Sequence, residues 1–376
     1  MIDLARSLTF ALTSASMVAV ARGEFALTTD SNCHCYQTNA TQSNYFSHHR
    51  FFDFRSLQDH INVPNPIDNW DDSAGAPPTS DYFTNSQFAD VWSIQNWSNS
   101  ELIDLDNSTI TDATLQMVNS PNNIYIERDE QQPDNTHLTL RTIRHHDFQS
   151  AAEFESVSEK YHFLSMRMEA RTQGPPGAVT AMFTYRAPPN PEDTDLVQEA
   201  DLEFLTRDPP HYVSFTNQPA WNSTSDIPGA SHNVTFPGPG RRWSDWAEYR
   251  MDWTPGSSTW FVDGELASHI TFQAPRDPSQ VIFNAWSDGG SWSGRMPKGS
   301  TAYLQIRWIE MVYNNTDSHG QHSKQEKQST CENVCSIDET SKIGTPVLVS
   351  AGYRQAVQTA LLWSPVLVAS LMSLVV

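Results

Sequence analysis

Three acidic side chains recur at alternate positions in the stretch Glu199-Ala200-Asp201-Leu202-Glu203-Phe204. A strand has a side-chain period of two, so as a strand this stretch turns Glu199, Asp201 and Glu203 to one face and Ala200, Leu202 and Phe204 to the other. One face is a carboxylate row and the other is core. Read as a helix, the same residues would swing Asp201 about 200° from Glu199 and form no apolar stripe, so the strand is the better reading. Glutamates four positions apart on a strand have Cα atoms roughly 13 Å apart, and their side chains can lean together across a groove. A carboxyl separation of about 5 to 5.5 Å is then within reach, the spacing at which one carboxylate attacks an anomeric carbon and the other exchanges a proton with the leaving oxygen. Such a run alone also fits a solvated face or a calcium site. The apolar opposite face, the β-rich surroundings and the density of tryptophan, 12 in all, favour chemistry.

The flanking segments must position that row, and they read as strands. Asn123 to Glu127, His137 to Ile143 and Tyr161 to Arg171 each alternate and are bounded by polar turn residues. Ala178 to Arg186 follows Pro175-Pro176-Gly177 and ends in a Pro-rich loop, so it is expected to pair antiparallel with the acidic strand. Residues 211–218, 246–253, 259–263 and 281–286 read as further strands, with turns at Pro255-Gly256 and Asp263-Gly264, and Ala302 to Tyr313 as the last strong one. Residues 88–118 are mixed strand and turn, and Trp70 to Tyr82 reads as a loop. Many short strands punctuated by turns predict an all-β sandwich or barrel. Trp253, Trp260 and Trp308 lie in strong strand patterns and are expected in the core. Trp286 and Trp292 flank a loop rich in Gly and Ser, Ser287 to Ser291, where backbone could approach a substrate. They are the candidates for stacking on sugar rings. His48 and His49 are expected at the surface.

The 376 residues, 38% hydrophobic and 11% aromatic, can bury one large core or two ordinary ones. The net charge of −21 argues against nucleic acid and anionic membrane surfaces as partners and leaves neutral polymers open. Residues 1–21 read as a secretory leader, apolar from Leu8 to Val20 and ending in Ala19-Val20-Ala21. Sequons at Asn39, Asn96, Asn107, Asn222, Asn233 and Asn314 agree with secretion. Cys33, Cys35, Cys331 and Cys335 then read as disulfide partners rather than a metal site, because an oxidising compartment disfavours free thiolates. Residues two apart on an extended chain point their Cβ atoms oppositely, so both bonds are expected to tie the N-terminal pair to the C-terminal pair, in either pairing. Closing loops of about 300 residues contributes about 5 to 6 kcal/mol on the chain-entropy account. The body then spans 22–313 and a polar linker 314–350. Residues 351–376 end in the uncharged run Leu361 to Val376 behind Ser350-Ala351-Gly352 and a spacer, the pattern of a glycosylphosphatidylinositol anchor signal. A membrane-spanning helix is the rival, but sixteen apolar residues fall short of the usual 17 to 25 or so.

The stretch EADLEFLT resembles the E-x-D-x-E signature of glycoside hydrolase family 16, in the form with no extra residue before the second Glu. The likeness continues through GAVTAMFTY, YRMDWTPGSSTWFVDGE and FNAWSDGGSWSG and covers roughly Cys33 to Tyr313. The segment CHCYQTN…YFSHHRFFDFRS is similar to secreted fungal members. The resemblance implies a concanavalin A-like β-jelly-roll of two curved antiparallel sheets and activity on β-glucan or related wall polysaccharide. The short motif is similar to that of lichenases, xyloglucan endotransglycosylases and glucan-chitin transglycosylases, and departs from laminarinases. By motif position the resemblance implies Glu199 as nucleophile, Glu203 as general acid/base and Asp201 as the residue that orients the nucleophile. It implies hydrolysis, with transfer to another sugar as the alternative and a non-catalytic lectin as the least fitting reading, since all three acids are present. No cofactor is implied. A structural calcium on the convex face is allowed by the family, with no residue run to hold it. A cell-surface monomer is expected.

Overall fold

The computed structural model describes residues 25–39, 44–101, 103, 111–190, 193–222, 224–238, 240–316 and 331–350. The leader, the terminal apolar run and Asn107 lie outside the described residues. In chain order the strands are β1 (Cys35–Gln37), β2 (Tyr45–Phe46), β3 (His48–Asp53), β4 (Trp92–Ile94), β5 (Met117–Asn119), β6 (Ile124–Arg128) and β7 (Thr136–Arg144). Then come β8 (Gln149–Ser156), β9 (Tyr161–Gln173), β10 (Val179–Arg186), β11 (Gln198–Leu205), β12 (Tyr212–Gln218), β13 (Ser231–Thr235) and β14 (Ala247–Thr254). The last six are β15 (Ser257–Val262), β16 (Glu265–Ile270), β17 (Gln280–Trp286), β18 (Thr301–Asn315), β19 (Val334–Ser336) and β20 (Val347–Leu348). Within the expected loop after Trp70 the chain forms two short helices, α1 (Trp70–Ala74) and α2 (Tyr82–Asn85), the first capped by Asn69, whose side chain accepts the Asp72 N–H.

The main path runs β13-β12-β11-β10-β17-β8-β7-β18-β9-β14-β15-β16 and folds back on itself as a jelly-roll sandwich. One layer holds β13 to β8 with β4 at its edge; the other holds β18, β9, β14, β15 and β16 with β3, β6 and β7. The path is antiparallel throughout, and the hairpin β7-β8 carries it from one layer to the other. Turn chemistry fixes the hairpins. Gly256 follows Pro255 with φ +80°, and Asp263 and Gly264 both take positive φ, the requirement of a tight two-residue hairpin.

The core lies between the layers. Phe204 on β11 meets Tyr249 on β14 edge-on at 4.8 Å, and Phe215 on β12 meets Trp260 on β15 at 5.2 Å. Ala200, Leu202 and Phe204 are all buried, as the alternation predicts, and so are Trp253, Trp260 and Trp308. Burying a large aromatic or leucine side chain is worth about 1.5 to 3 kcal/mol, so the apolar face of β11 holds its strand in register.

His49 departs from expectation. It is buried, because β3 lies beneath the chain ends, and its ring bonds Asp30 at 2.8 Å and Glu310 at 3.0 Å. Burial opposes the charged ring, but these two carboxylates overcome it and raise His49 to about 9. Within 314–350, read above as a polar linker, residues 331–350 carry β19 and β20, which complete a four-stranded sheet with β1 and β2 over the outer face of β18 and β9. Asp338, in that segment, receives Arg167 at 3.1 Å and Arg250 at 3.3 Å. The disulfides are Cys33–Cys335 and Cys35–Cys331, so both join the two ends of the chain as expected. Sequence polarity concealed this packing because the few apolar residues the segment buries, Ile337 and Val347 among them, are scattered among polar ones, and ion pairs to Asp338 complete the contact.

Candidate active site

The carboxylate row sits on the face of β11 that points away from the core, in the middle of its sheet. Antiparallel register sets each acid in a transverse row. Tyr185 and Gln218 flank Glu199, Phe183 and Thr216 flank Asp201, and Ala181 and Ser214 flank Glu203. The rows continue through Gln280, Ile282 and Asn284 on β17 to Glu155 and Glu153 on β8. The side chains from β11, β10, β17 and β8 floor a cleft of about 470 Å³, which Trp97, Asn119, Trp286 and Asp288 also line. Among the described residues no Lys, Arg or His lines it, so no cationic side chain there pairs with an anionic ligand.

Confinement sets the protonation of the row. Burial, opposed by a hydrogen bond from Asp201, pushes Glu199 up to about 7. Burial and then the charge of Glu199, opposed by the Trp292 N–H, push Glu203 up to about 8. Asp201 is raised well above the ordinary range by burial, then by the charges on Glu199 and Glu203. The result is a row that holds protons at neutral pH and gives them up unequally: Glu199 has a donor in Asp201 that favours its ionised form, while Glu203 carries the repulsion of Glu199. The trio can therefore hold one carboxylate, Glu199, beside two groups that keep their protons, Asp201 and Glu203, in the same cleft.

Trp292, 40% exposed, donates Nε1 to Glu203 Oε1 at 3.3 Å, and Trp286 lines the cleft from the end of β17. Of the two tryptophans singled out from the sequence, Trp292 contacts the carboxylate row and Trp286 lines the same cleft. The glycines between them have a packing requirement of their own. A side chain at Gly289 would strike Thr114, and one at Gly290 would meet Asp112 Oδ1 at 2.6 Å. The loop approaches residues 112–114, and Asp112 accepts the Ser291 N–H at 2.7 Å. The bare backbone is needed for packing there.

Strand β8 is absent from the sequence reading, and with it Glu153 and Glu155. Two Ala and two Glu in Gln149–Ser156 carry little of the β-branched and aromatic content that marks a strand, although its alternation matches that of β11. Glu153 is raised to about 7, chiefly by burial, and is held by Trp97 Nε1 at 2.7 Å and Asn284 Nδ2 at 3.3 Å. Asn119 Nδ2 and Asn284 Oδ1 are buried at the cleft wall without a partner among the described residues, which leaves a donor and an acceptor for a polar ligand. Of the sequons, Asn39, Asn96, Asn222 and Asn233 are exposed and Asn314 half-buried.

Asp68, His145 and Ser150 form a second chain of acid, imidazole and hydroxyl, at 2.8 and 3.1 Å. Ser150 is buried, and its Oγ also accepts from Asn123 at 3.0 Å, so no acyl group can reach it. No group of three or more His, Cys, Asp or Glu able to hold a metal ion occurs among the described residues. Nor is any described helix long and apolar enough to cross a membrane.

A profile of glycosyl hydrolases family 16 matches residues 111–310, more than half of the chain and all of the cleft's floor. A β-glucanase of Paenibacillus polymyxa is 29% identical over 140 residues, which cover 37% of this chain and 54% of that protein. One from Acetivibrio thermocellus is 28% identical over 159 residues, covering 41% of this chain and 43% of that protein. The chain thus matches about half the length of these relatives. Among solved structures, a Bacillus licheniformis β-glucanase covers 61% of this chain and 95% of its own, at 21% identity and a TM-score of 0.46. The laminarinase catalytic domain of Thermotoga maritima covers 60% and 92%, at 16% identity and a TM-score of 0.44.

Proposed function

Because the chain belongs to glycoside hydrolase family 16, we propose that it is a retaining glycosidase that cleaves β-glucan in this cleft by double displacement. Glu199 attacks the anomeric carbon as Glu203 delivers its proton to the leaving oxygen. The C–O bond to the leaving sugar breaks and a glycosyl ester on Glu199 forms. In the second step Glu203, now ionised, takes a proton from water, whose oxygen displaces Glu199 and restores the anomeric configuration. Asp201 donates to Glu199 and orients it.

The observation that carries the reading is the row itself: three acids on one face of β11 at the floor of a cleft, with Asp201 donating to Glu199 and Trp292 donating to Glu203. Glu203 is pushed to about 8 and Glu199 to about 7, with Asp201 donating to Glu199 alone. Glu203, which holds its proton to the higher pH, is placed to protonate the leaving oxygen, and Glu199, with a donor at its side, is placed to attack as the carboxylate. Trp97, Trp286 and Trp292 supply apolar faces for sugar rings, and the absence of cations in the cleft suits a neutral polymer.

Transfer to a second sugar instead of water uses the same residues and differs only in which acceptor fills the cleft. Incubating the protein with lichenan, laminarin, xyloglucan and chitin oligomers, each with a fluorescent oligosaccharide, separates the outcomes. New reducing ends without label mean hydrolysis; label in the polymer means transfer. No turnover on any of them overturns the reading. The leader and apolar tail in the sequence support a secreted protein held at the cell surface by a lipid anchor, acting on wall polymer. Release of the protein from cells by a phosphatidylinositol-specific phospholipase tests that part.

A further inference from the structure

Gln218 closes β12 directly across from Glu199. Its amide is held at both ends: Oε1 accepts the Ala220 backbone N–H at 2.8 Å, and Nε2 donates to Asp201 Oδ2 at 3.3 Å. A backbone N–H can only donate. Turning the amide over would set two donors against each other at Ala220, so the main chain of the β12–β13 connection decides that an N–H faces Asp201. Asp201 Oδ2 then accepts, and because a carbonyl oxygen is the better acceptor, a proton on Asp201 is favoured on Oδ1. The other side-chain partner of Asp201 is Glu199.

We infer that Gln218 is a positioning residue for the carboxylate row: it pins Asp201 Oδ2 as an acceptor, so that the proton of Asp201 lies on Oδ1 and is donated to Glu199. The inference rests on the proposed role of Glu199 as nucleophile. An Asp201 free to rotate would present either oxygen to Glu199, and half of those arrangements would face a lone pair with a lone pair. With Oδ2 occupied, each turnover begins with the same donor aimed at the attacking carboxylate.

The surroundings leave Gln218 this task. On β11 itself Asp201 faces Glu199 and Glu203. From β10 come Phe183, directly opposite, and Tyr185; from β12, the neutral Thr216 and Gln218. Strand β17 adds Gln280, Ile282 and Asn284, β8 adds Glu153 and Glu155, and Asp288 lies past the end of β17. None of these is a cation that could hold Asp201 in place of the amide. The link also ties the row to the 219–227 connection, where Trp221 stands 56% exposed.

Two variants of nearly equal length test it. Gln218→Met removes the donor and acceptor together. It should lower kcat about ten- to hundredfold with KM within about twofold, since a hydrogen bond to a charged or charge-sharing group is lost without a change in the sugar contacts. Gln218→Glu is the sharper probe. When protonated, the introduced carboxyl can still accept from Ala220 and donate to Asp201; once ionised it cannot donate. Activity should persist at acid pH and fall as that group ionises, moving the alkaline limb acidward by about one pH unit or more.

Carbon-13 NMR of labelled aspartate in the substrate-free protein, with Asp201 assigned through Asp201→Asn, reads the same bond without turnover. Gln218→Met should move the Asp201 titration to higher pH, because the lost donor favours the ionised form. An unchanged Asp201 titration in a folded Gln218→Met protein, or wild-type pH profiles in both variants, overturns the inference. Should the wild type cleave no glucan while the Asp201 titration still shifts in Gln218→Met, the pinning stands and the glycosidase reading fails.

Discussion

Replacing Glu203 by Gln measures what it costs to keep a carboxyl in the cleft. Burial first, then the charge of Glu199, hold Glu203 at about 8, whereas a glutamate in an unfolded chain titrates near 4.3 or so. Between those values the folded protein keeps a proton that the unfolded chain has released. Stability therefore falls as pH rises from about 4 to about 8, and the full penalty is present above 8. Each pH unit of that interval is worth about 1.4 kcal/mol. The proton is shared with Glu199 and Asp201, and Glu203 keeps some contact with water, so we assign about 2 to 3 kcal/mol to this residue alone. A glutamine cannot ionise and escapes the penalty. Glu203→Gln should thus raise Tm by about 3 to 5 °C at pH 9 and leave it unchanged at pH 4, by scanning calorimetry. The same variant should lose about 10²- to 10⁴-fold in kcat on polymer, and much less on a substrate whose leaving group needs no proton. Equal Tm for the two proteins at pH 9, or an equal gain at both pH values, would refute the reasoning, because desolvation of an ionised Glu203 could not then be what raises it.

Three further outcomes are expected. Glu199→Gln should lower kcat by more than about 10⁴-fold with no loss of Tm at pH 7, measured by reducing-end release and calorimetry; near-full activity would remove Glu199 from the mechanism. His49 is charged in the folded protein up to about 9, so its ion pairs stabilise fully below about 6.5 and fade as pH rises through 9. His49→Phe should then cost about 2 kcal/mol more at pH 6 than at pH 10 in urea unfolding, and an equal cost at both would show that the ring acts only by packing. Phe204→Ala opens a cavity beside Phe236 and Tyr249 and should cost about 3 to 5 kcal/mol, read from the urea midpoint at unchanged slope.

Much of this molecule is written in local pattern. The period of two in Glu199 to Phe204 fixes which side chains face the core and which face the cleft, whatever the rest of the chain does, because a strand cannot present both sets to one side. Turn residues fixed the hairpins at Pro255-Gly256 and Asp263-Gly264, and four cysteines, read as half-cystines, implied the tie between the chain ends. What tertiary structure alone decided are the contacts between residues far apart in sequence. Glu153 joins the cleft because β17 pairs with β8; Gln218 faces Asp201 because β12 returns beside β11 in one register; His49 is buried because β3 lies under the disulfide-tied ends. The protonation of the row belongs to the same class. An E-x-D-x-E run carries no pKa of its own, since a carboxyl rises only when folding takes its water away and brings other charges near, and neither is encoded within six residues.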